Sequence, residues 1–320
     1  MKRLLRHIRL VPLAEESLGV RSMALYVETP DVRVLFDAGV SLAPRRYGLF
    51  PHPLELKAAK EARERIQEYA RRADVITISH YHLDHFTPGY KSWLEWTSPE
   101  TQRELYAEKI LVVKHPRENI NYNQLRRAHA FLKAVEPLAE KVVYAEGSIL
   151  EFGETKLRCI GLGPHGPEGS RLGFVAIFAL ETRGERVIFA PDVQGPISKK
   201  LLRMLRVGGE GLLVIGGPPL YLAGKKVSQE DVEKGIKNLK ELLLKCPVVT
   251  GHHLLRDPEW REPLGETAAR VLTYASLAGR DEVLLEAYRR ELYEYSPPGE
   301  EFEKWLERYR KGDREEPPPL

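Results

Sequence analysis

Apolar positions along the chain fall into two rhythms. Short β-branched or alternating runs recur at residues 8–11, 24–28, 32–36, 75–79, 110–113, 142–144, 149–152, 156–160, 174–180, 187–192, 212–215 and 246–250. Most are bounded by Gly, Pro, Asn or Asp, and they read as strands. Between them the spacing turns helical. Residues 54–72 place Leu56, Ala59, Ile66 and Ala70 on one face beneath a Glu/Lys/Arg-rich solvent face. Helical patterns follow at 121–135, 198–206 and 228–245, the last with Ser228 as N-cap and Asp231 in its first turn. Residues 266–290 read as helix broken near Ala278-Gly279, and 300–310 as a short final helix. Strands followed by helices, twice over, predict an α/β chain.

Composition narrows the picture. The chain has 320 residues, 42% of them hydrophobic, enough for a large core. We expect a single domain over residues 1–311 and a disordered tail at 312–320, where charge gives way to three prolines. With 49 basic and 46 acidic residues the net charge is +3, which gives no general electrostatic case for a nucleic-acid partner. Two cysteines, Cys159 and Cys246, cannot build a disulfide framework and fit a reducing cytoplasm, the expected location. Cys246, in apolar company, is expected in the core. The basic N-terminus lacks the apolar core of a signal peptide, and no run is long and apolar enough to span a bilayer. Scarce Asn and Gln beside abundant Arg, Lys and Glu is a bias found in thermophile proteins.

Chemistry concentrates directly after the run at 75–79. His80-Tyr81-His82-Leu83-Asp84-His85 puts three imidazoles and a carboxylate at a strand end within six residues. In an extended turn His80 and His82 leave on one side, while Asp84 and His85 reach another. Such crowded nitrogen and oxygen donors suit a divalent metal, zinc above all, bound at about 2.0–2.2 Å. Other features are less specific. The segment Tyr90–Trp96 either walls the site entrance or packs Trp93 and Trp96 in the core. The helix at 121–135 carries Arg126, Arg127, His129 and Lys133; with Lys91 and Arg171 it is the one local argument for a polyanion groove. His115 and His129 have no neighbouring donors. The glycine-rich loop 161–169 lacks the Gly-Lys-Ser/Thr of a phosphate cradle.

The His-x-His-x-Asp-His motif after a buried strand resembles the signature of the metallo-β-lactamase superfamily, binuclear metallohydrolases. The resemblance covers roughly residues 20–278 and is closest to a largely archaeal branch that implies fold and metals but no particular substrate. It implies a four-layer αββα sandwich of two mixed sheets flanked by helices, with the metals at one edge. It also implies further ligands. His165, alone only a loop histidine, matches the third histidine of a first site with His80 and His82. Asp192, ending the run at 187–192, matches the carboxylate that bridges two metals. Past the last strand come His252 and His253; we favour His252 as the ligand completing a second site with Asp84 and His85. His253 then belongs to the surroundings or the substrate pocket. Asp37, by itself a turn aspartate, matches a residue beneath the metals that orients the histidine loop. Arg256 either meets a substrate anion or pairs with Asp257 or Glu259.

These assignments predict two divalent ions, with zinc ahead of manganese or iron. Di-iron relatives carry a Glu where this chain has His82. The implied activity is hydrolysis by a water of lowered pKa bridging the metals, with Asp84 and Asp192 at the reacting centre. The expected substrate is a small, anionic ester, lactone or phosphodiester. A nuclease and a non-catalytic metal-binding protein are the alternatives. The about 60 residues between Asp192 and His252 leave no room for the inserted cap domain, well over ~100 residues, of some nuclease relatives.

Overall fold

The computed structural model describes residues 4–205 and 210–320. The extreme N-terminus and the end of the helix expected at 198–206 lie outside them.

Thirteen strands form two mixed sheets among the described residues. The first runs β1 (Arg9–Glu15), β2 (Met23–Glu28), β3 (Arg33–Phe36), β4 (Val75–Ile78), β5 (Ile110–Val113) and β6 (Lys141–Tyr144). β1, β2 and β3 pair antiparallel, and the remaining pairs are parallel. The second sheet comprises β7 (Ile149–Phe152), β8 (Thr155–Pro164), β9 (Phe174–Thr182), β10 (Glu185–Ala190), β11 (Glu210–Gly216), β12 (Val248–Gly251) and β13 (Val271–Leu272). Its β7–β10 half is antiparallel and its β10–β13 half parallel.

The strands are apolar on both faces because both faces are covered. In β3, Val34 and Phe36 face the opposite sheet while Leu35 faces the helices. In β9, Ala176 and Phe178 face the sheet interface, Val175 and Ile177 the other side. Phe36 packs against Phe178 and Phe189 at 6.1 and 4.8 Å between ring centroids. Helices α1 (Pro53–Arg72), α2 (Pro99–Tyr106) and α3 (Tyr122–Val135) cover the first sheet; α4 (Lys199–Met204) and α5 (Gln229–Lys245) cover the second. The short α6 (Tyr274–Ala278) and α7 (Arg289–Tyr295) follow, and α8 (Glu300–Arg310) returns to the first sheet's helical layer. This is the four-layer αββα sandwich.

Several expectations need correction. α2 was not foreseen, although Ser98 caps it and Pro99 opens it. Residues 266–290 are not a broken helix: Glu262–Arg270 is a 3-10 segment kinked at Gly265, β13 follows, and only α6 is helical before Arg289. Sheet pairing of Val271 and Leu272 with β12 overrides local helical spacing there. The terminal residues, assigned to disorder on composition, dock on α8. Trp305 Nε1 donates to the Glu316 carbonyl at 3.0 Å, and Arg308 pairs with Glu316. Cys246, which caps the C-terminus of α5, is only half-buried at the edge of the core. Trp93 and Trp96 pack partly buried against the helical layer. No described helix is long and apolar enough to cross a membrane.

Candidate metal centre

The histidine loop is built by two strand ends side by side. β4 stops at Ile78, and Ser79 is fixed by Asp37, one residue beyond β3. Asp37 Oδ1 accepts the Ser79 N–H at 2.8 Å, and Oδ2 accepts its hydroxyl at 2.5 Å. Asp37 Oδ2 also lies 2.8 Å from His85 Nδ1, where an acceptor-only carboxylate takes the ring N–H and leaves Nε2 facing inward. The chain beyond Asp37 runs directly under the loop. A Cβ on Gly39 would stand 2.4 Å from the backbone nitrogens of His85 and Phe86, so only glycine fits. Alternation holds as far as Tyr81, whose hydroxyl turns away to the Lys114 carbonyl at 2.6 Å while His80 and His82 face the site.

Across the sandwich, Asp192 follows β10 and stands between two groups of donors. Its Oδ2 is 2.5 Å from His165 Nε2, 3.5 Å from His80 Nε2 and 3.7 Å from His82 Nδ1. These four residues form one cluster of potential ligand atoms, all within 4.8 Å of one another. Asp84, His85 and His252 form another, with His85 Nε2 and His252 Nε2 3.4 Å apart. Asp192 Oδ1 faces this side, 3.5 Å from His252 Nε2.

The donor set fits divalent metals. His80 Nε2 and Asp192 Oδ1 are buried and make no hydrogen bond. Leaving such atoms unpaired costs about 1–3 kcal/mol each, which coordination to a cation would offset. Burial, then the neighbouring His85, holds the His80 imidazole well below its ordinary value, in the neutral form that binds a metal. Burial alone would raise the Asp192 carboxyl; His165, His252 and His253 outweigh it and hold it ionised. His82 and Asp84 are the partly exposed members, so solvent reaches the centre on their side.

Both candidate terminal histidines face Asp192. β12 ends at Gly251, and His252 takes a left-handed φ of 54° at the start of a 3-10 turn. Strand alternation therefore no longer applies. His253 Nε2 lies 3.2 Å from Asp192 Oδ1, and its Nδ1 lies 2.8 Å from the Tyr221 hydroxyl. His252 alone joins Asp84 and His85, while both histidines share a further cluster with Asp192.

Arg256 is buried, and its partners are Glu16 at 2.7 Å and Asp84 at 3.4 Å rather than Asp257 or Glu259. Glu16 also meets His252 Nδ1 at 3.1 Å, and Glu15 accepts the His252 backbone N–H at 2.8 Å. Burial and the adjacent Glu16 raise the Glu15 carboxyl to about 8. Neither glutamate was singled out from the sequence, nor were Tyr221, Gln124 beside His82, or Gln194 between His165 and His253. A Glu-Glu-Ser triplet after a strand looks like ordinary solvated polarity, and nothing local marks these residues.

Residues 20–208 match the family model described as the beta-lactamase superfamily domain. A UPF0282 protein from Pyrobaculum calidifontis is 48% identical over 303 residues, covering 92% of this chain and 98% of that protein. One from Thermococcus gammatolerans is 45% identical, covering 89% and 95%. Among solved structures, Zn2+-bound PqqB from Methylobacterium extorquens is 11% identical with a TM-score of 0.47, covering 86% of this chain and 98% of that one. Tm1679, a metal-dependent hydrolase of the beta-lactamase superfamily, is 18% identical with a TM-score of 0.46, covering 83% and 96%. The chain thus belongs to the beta-lactamase superfamily and, within it, to the UPF0282 proteins.

Proposed function

We propose that this protein is a binuclear metallohydrolase acting on a small, anionic ester, lactone or phosphodiester. The observation that carries the reading is the placement of Asp192, with Oδ2 toward His80, His82 and His165 and Oδ1 toward His252. One metal is assigned to His80, His82 and His165, a second to Asp84, His85 and His252, with Asp192 shared. Imidazole-rich sets with carboxylates favour zinc, manganese and iron being the alternatives. Bound there, two such ions supply a water of lowered pKa and polarise the scissile carbonyl or phosphoryl oxygen. Burial holds His80 and His82 below their ordinary value, and the neighbouring histidines hold Asp192 ionised. At His252, Glu16 and Asp192 overcome burial and raise the ring to about 10, so it gives up a proton on binding a metal. The His82–Asp84 side stays open to substrate.

The form of that open side supports a small substrate. A cleft of about 470 Å³ adjoins Asp84, lined in part by Arg21, Leu83, Tyr90, Lys91, Glu95 and Arg314, the size of a small-molecule site. Arg21 and Lys91 are paired with Glu286 and Glu315, so Arg314 is the cation that an anionic group would meet there. A polyanion groove along α3 has less support. Lys91 is paired with Glu315 at 2.7 Å, and Arg127 donates to the Tyr81 carbonyl at 3.3 Å. Backbone recognition of a nucleic acid needs several converging free cations.

Metal-loaded protein should hydrolyse at least one member of a panel holding bis(p-nitrophenyl) phosphate, aryl esters and lactones, and Asp192→Asn should abolish the activity. Cleavage of single-stranded or structured RNA, weakening steeply with salt while every small substrate is untouched, would make it a nuclease. Fully metallated protein that turns over none of these favours a non-catalytic metal-binding role.

A further inference from the structure

The side chain of Glu16 sits where two long-range contacts meet. Its Oε2 is in hydrogen-bonding position 3.2 Å from His252 Nδ1, and Oε1, itself 3.1 Å from that nitrogen, accepts from Arg256 at 2.7 and 2.8 Å through Nη2 and Nε. Arg256 Nη2 in turn reaches Asp84 Oδ2 at 3.4 Å. Glu16 and Arg256 are both buried, each side chain 3% exposed. So buried a carboxylate persists as a charge only when paired, and here its partners are a guanidinium and a histidine.

The chemistry of His252 depends on which neighbour its Nδ1 meets. An imidazole that offers Nε2 to a metal must carry its proton on Nδ1, and that N–H needs an acceptor. Glu16 is an acceptor. Arg256 can only donate, and its Nη2 stands 3.2 Å from Nδ1 and 3.3 Å from Nε2. Without Glu16, Nδ1 would have lost its acceptor while Nε2 still faces Asp192 and Asp84 at 3.5 and 3.8 Å, so the ring would favour a proton on Nε2, the tautomer that cannot coordinate there. The guanidinium charge would also face a nearby dication with Asp84, itself a ligand of that site, left as its close carboxylate partner.

We propose that Glu16 is the positioning residue of the second metal site. It fixes the Nδ1–H tautomer of His252 and neutralises Arg256, so that Arg256 orients Asp84 instead of competing for His252. The proposal rests on the binuclear reading above. It takes Arg256 out of the substrate pocket and makes it part of the scaffold. Glu16 thereby holds two ligands of one site and none of the other, which predicts an effect confined to the second metal.

The test is a zinc titration of metal-free, full-length protein against a chromophoric chelator, which resolves the two sites without any substrate. Glu16→Ala should weaken the second site about 10- to 100-fold and leave the first unchanged. Glu16→Ala/Arg256→Met should recover part of that loss, because the competing donor and the uncompensated charge leave together. A role in packing alone predicts the opposite, since the double variant removes more contacts. Should Glu16→Ala fail to fold by circular dichroism, Glu16→Gln with and without Arg256→Met makes the same comparison. In two-zinc protein, 15N shifts of His252 should report a protonated Nδ1 in the wild type. Unchanged second-site affinity in Glu16→Ala, or a double variant no better than the single, overturns the proposal. Wild-type protein that holds fewer than two zinc ions instead defeats the binuclear reading, before any variant is compared.

Discussion

Asp37 Oδ2 lies 2.8 Å from Nδ1 of His85 while its Oδ1 holds the backbone N–H of Ser79, so one carboxylate ties both ends of the histidine loop. Asp37→Ala strips three groups of their acceptor: the Ser79 N–H, its hydroxyl and His85 Nδ1. We expect a loss of about 10- to 100-fold in metal affinity. The metal-free protein should also lose about 2–4 kcal/mol of stability in urea unfolding, from buried donors left unpaired. Wild-type zinc affinity in this variant would remove Asp37 from the centre's support.

Of the four overlapping donor clusters, those of His80, His82, His165 and Asp192 and of Asp84, His85 and His252 predict two metals per chain by elemental analysis of metal-replete protein. His80→Ala/His82→Ala should lose the first, and full occupancy in that variant would sink the assignment. His252→Ala should weaken the second, whereas His253→Ala should keep both metals, because only His252 meets Asp84 and His85. The reverse outcome exchanges their roles.

Gly251 is a packing requirement of the second cluster. A Cβ there would come within 1.9 Å of Glu15 Oε1, which accepts the His252 N–H while Oε2 accepts the Ser17 N–H and hydroxyl, so the carboxylate cannot swing aside without losing them. Gly251→Ala should destabilise the fold by about 2–4 kcal/mol and lower second-site occupancy, read by thermal unfolding and zinc titration. An unchanged melting temperature would show that Glu15 has another place to go.

Acid sensitivity has a defined source at the Arg21–Glu286 pair, joined by two hydrogen bonds of 2.5 Å. Burial alone would raise the Glu286 carboxyl, but Arg21 outweighs it and brings it from an ordinary 4.5 to about 2. A depressed carboxyl stabilises the fold above its unfolded value and loses that contribution as pH falls through 4.5 toward 2. Glu286→Gln should cost about 3 kcal/mol at pH 7, where it leaves Arg21 unpaired. The difference from wild type should shrink as urea unfolding is repeated from pH 5 to pH 2. A gap independent of pH would assign the cost to packing instead.

By itself the sequence determined what is local. His80, His82, Asp84 and His85 leave one strand end together because their spacing is short and the preceding residues are β-branched, so their convergence needs no other part of the chain. Strand-like runs followed by helical ones likewise marked an α/β chain, and Ser228 marked the start of α5, whereas the four layers were legible only through the resemblance. His165, Asp192 and His252 were legible only through the motif they resemble, since each is an ordinary residue in its own segment. Only the tertiary structure decided the rest. Glu16 reaches His252 and Arg256 across more than 230 residues because β1 edges the first sheet and the turn after β12 lies in the second. The inward turn of His253 depends on a left-handed backbone at His252, and the docking of the tail depends on a groove that exists only once α8 has packed. Spacing along a chain fixes which side chains share a strand end or helix face. Which buried charge finds its counterpart is settled by how the sheets pack, where an unpaired charge is too costly to leave alone.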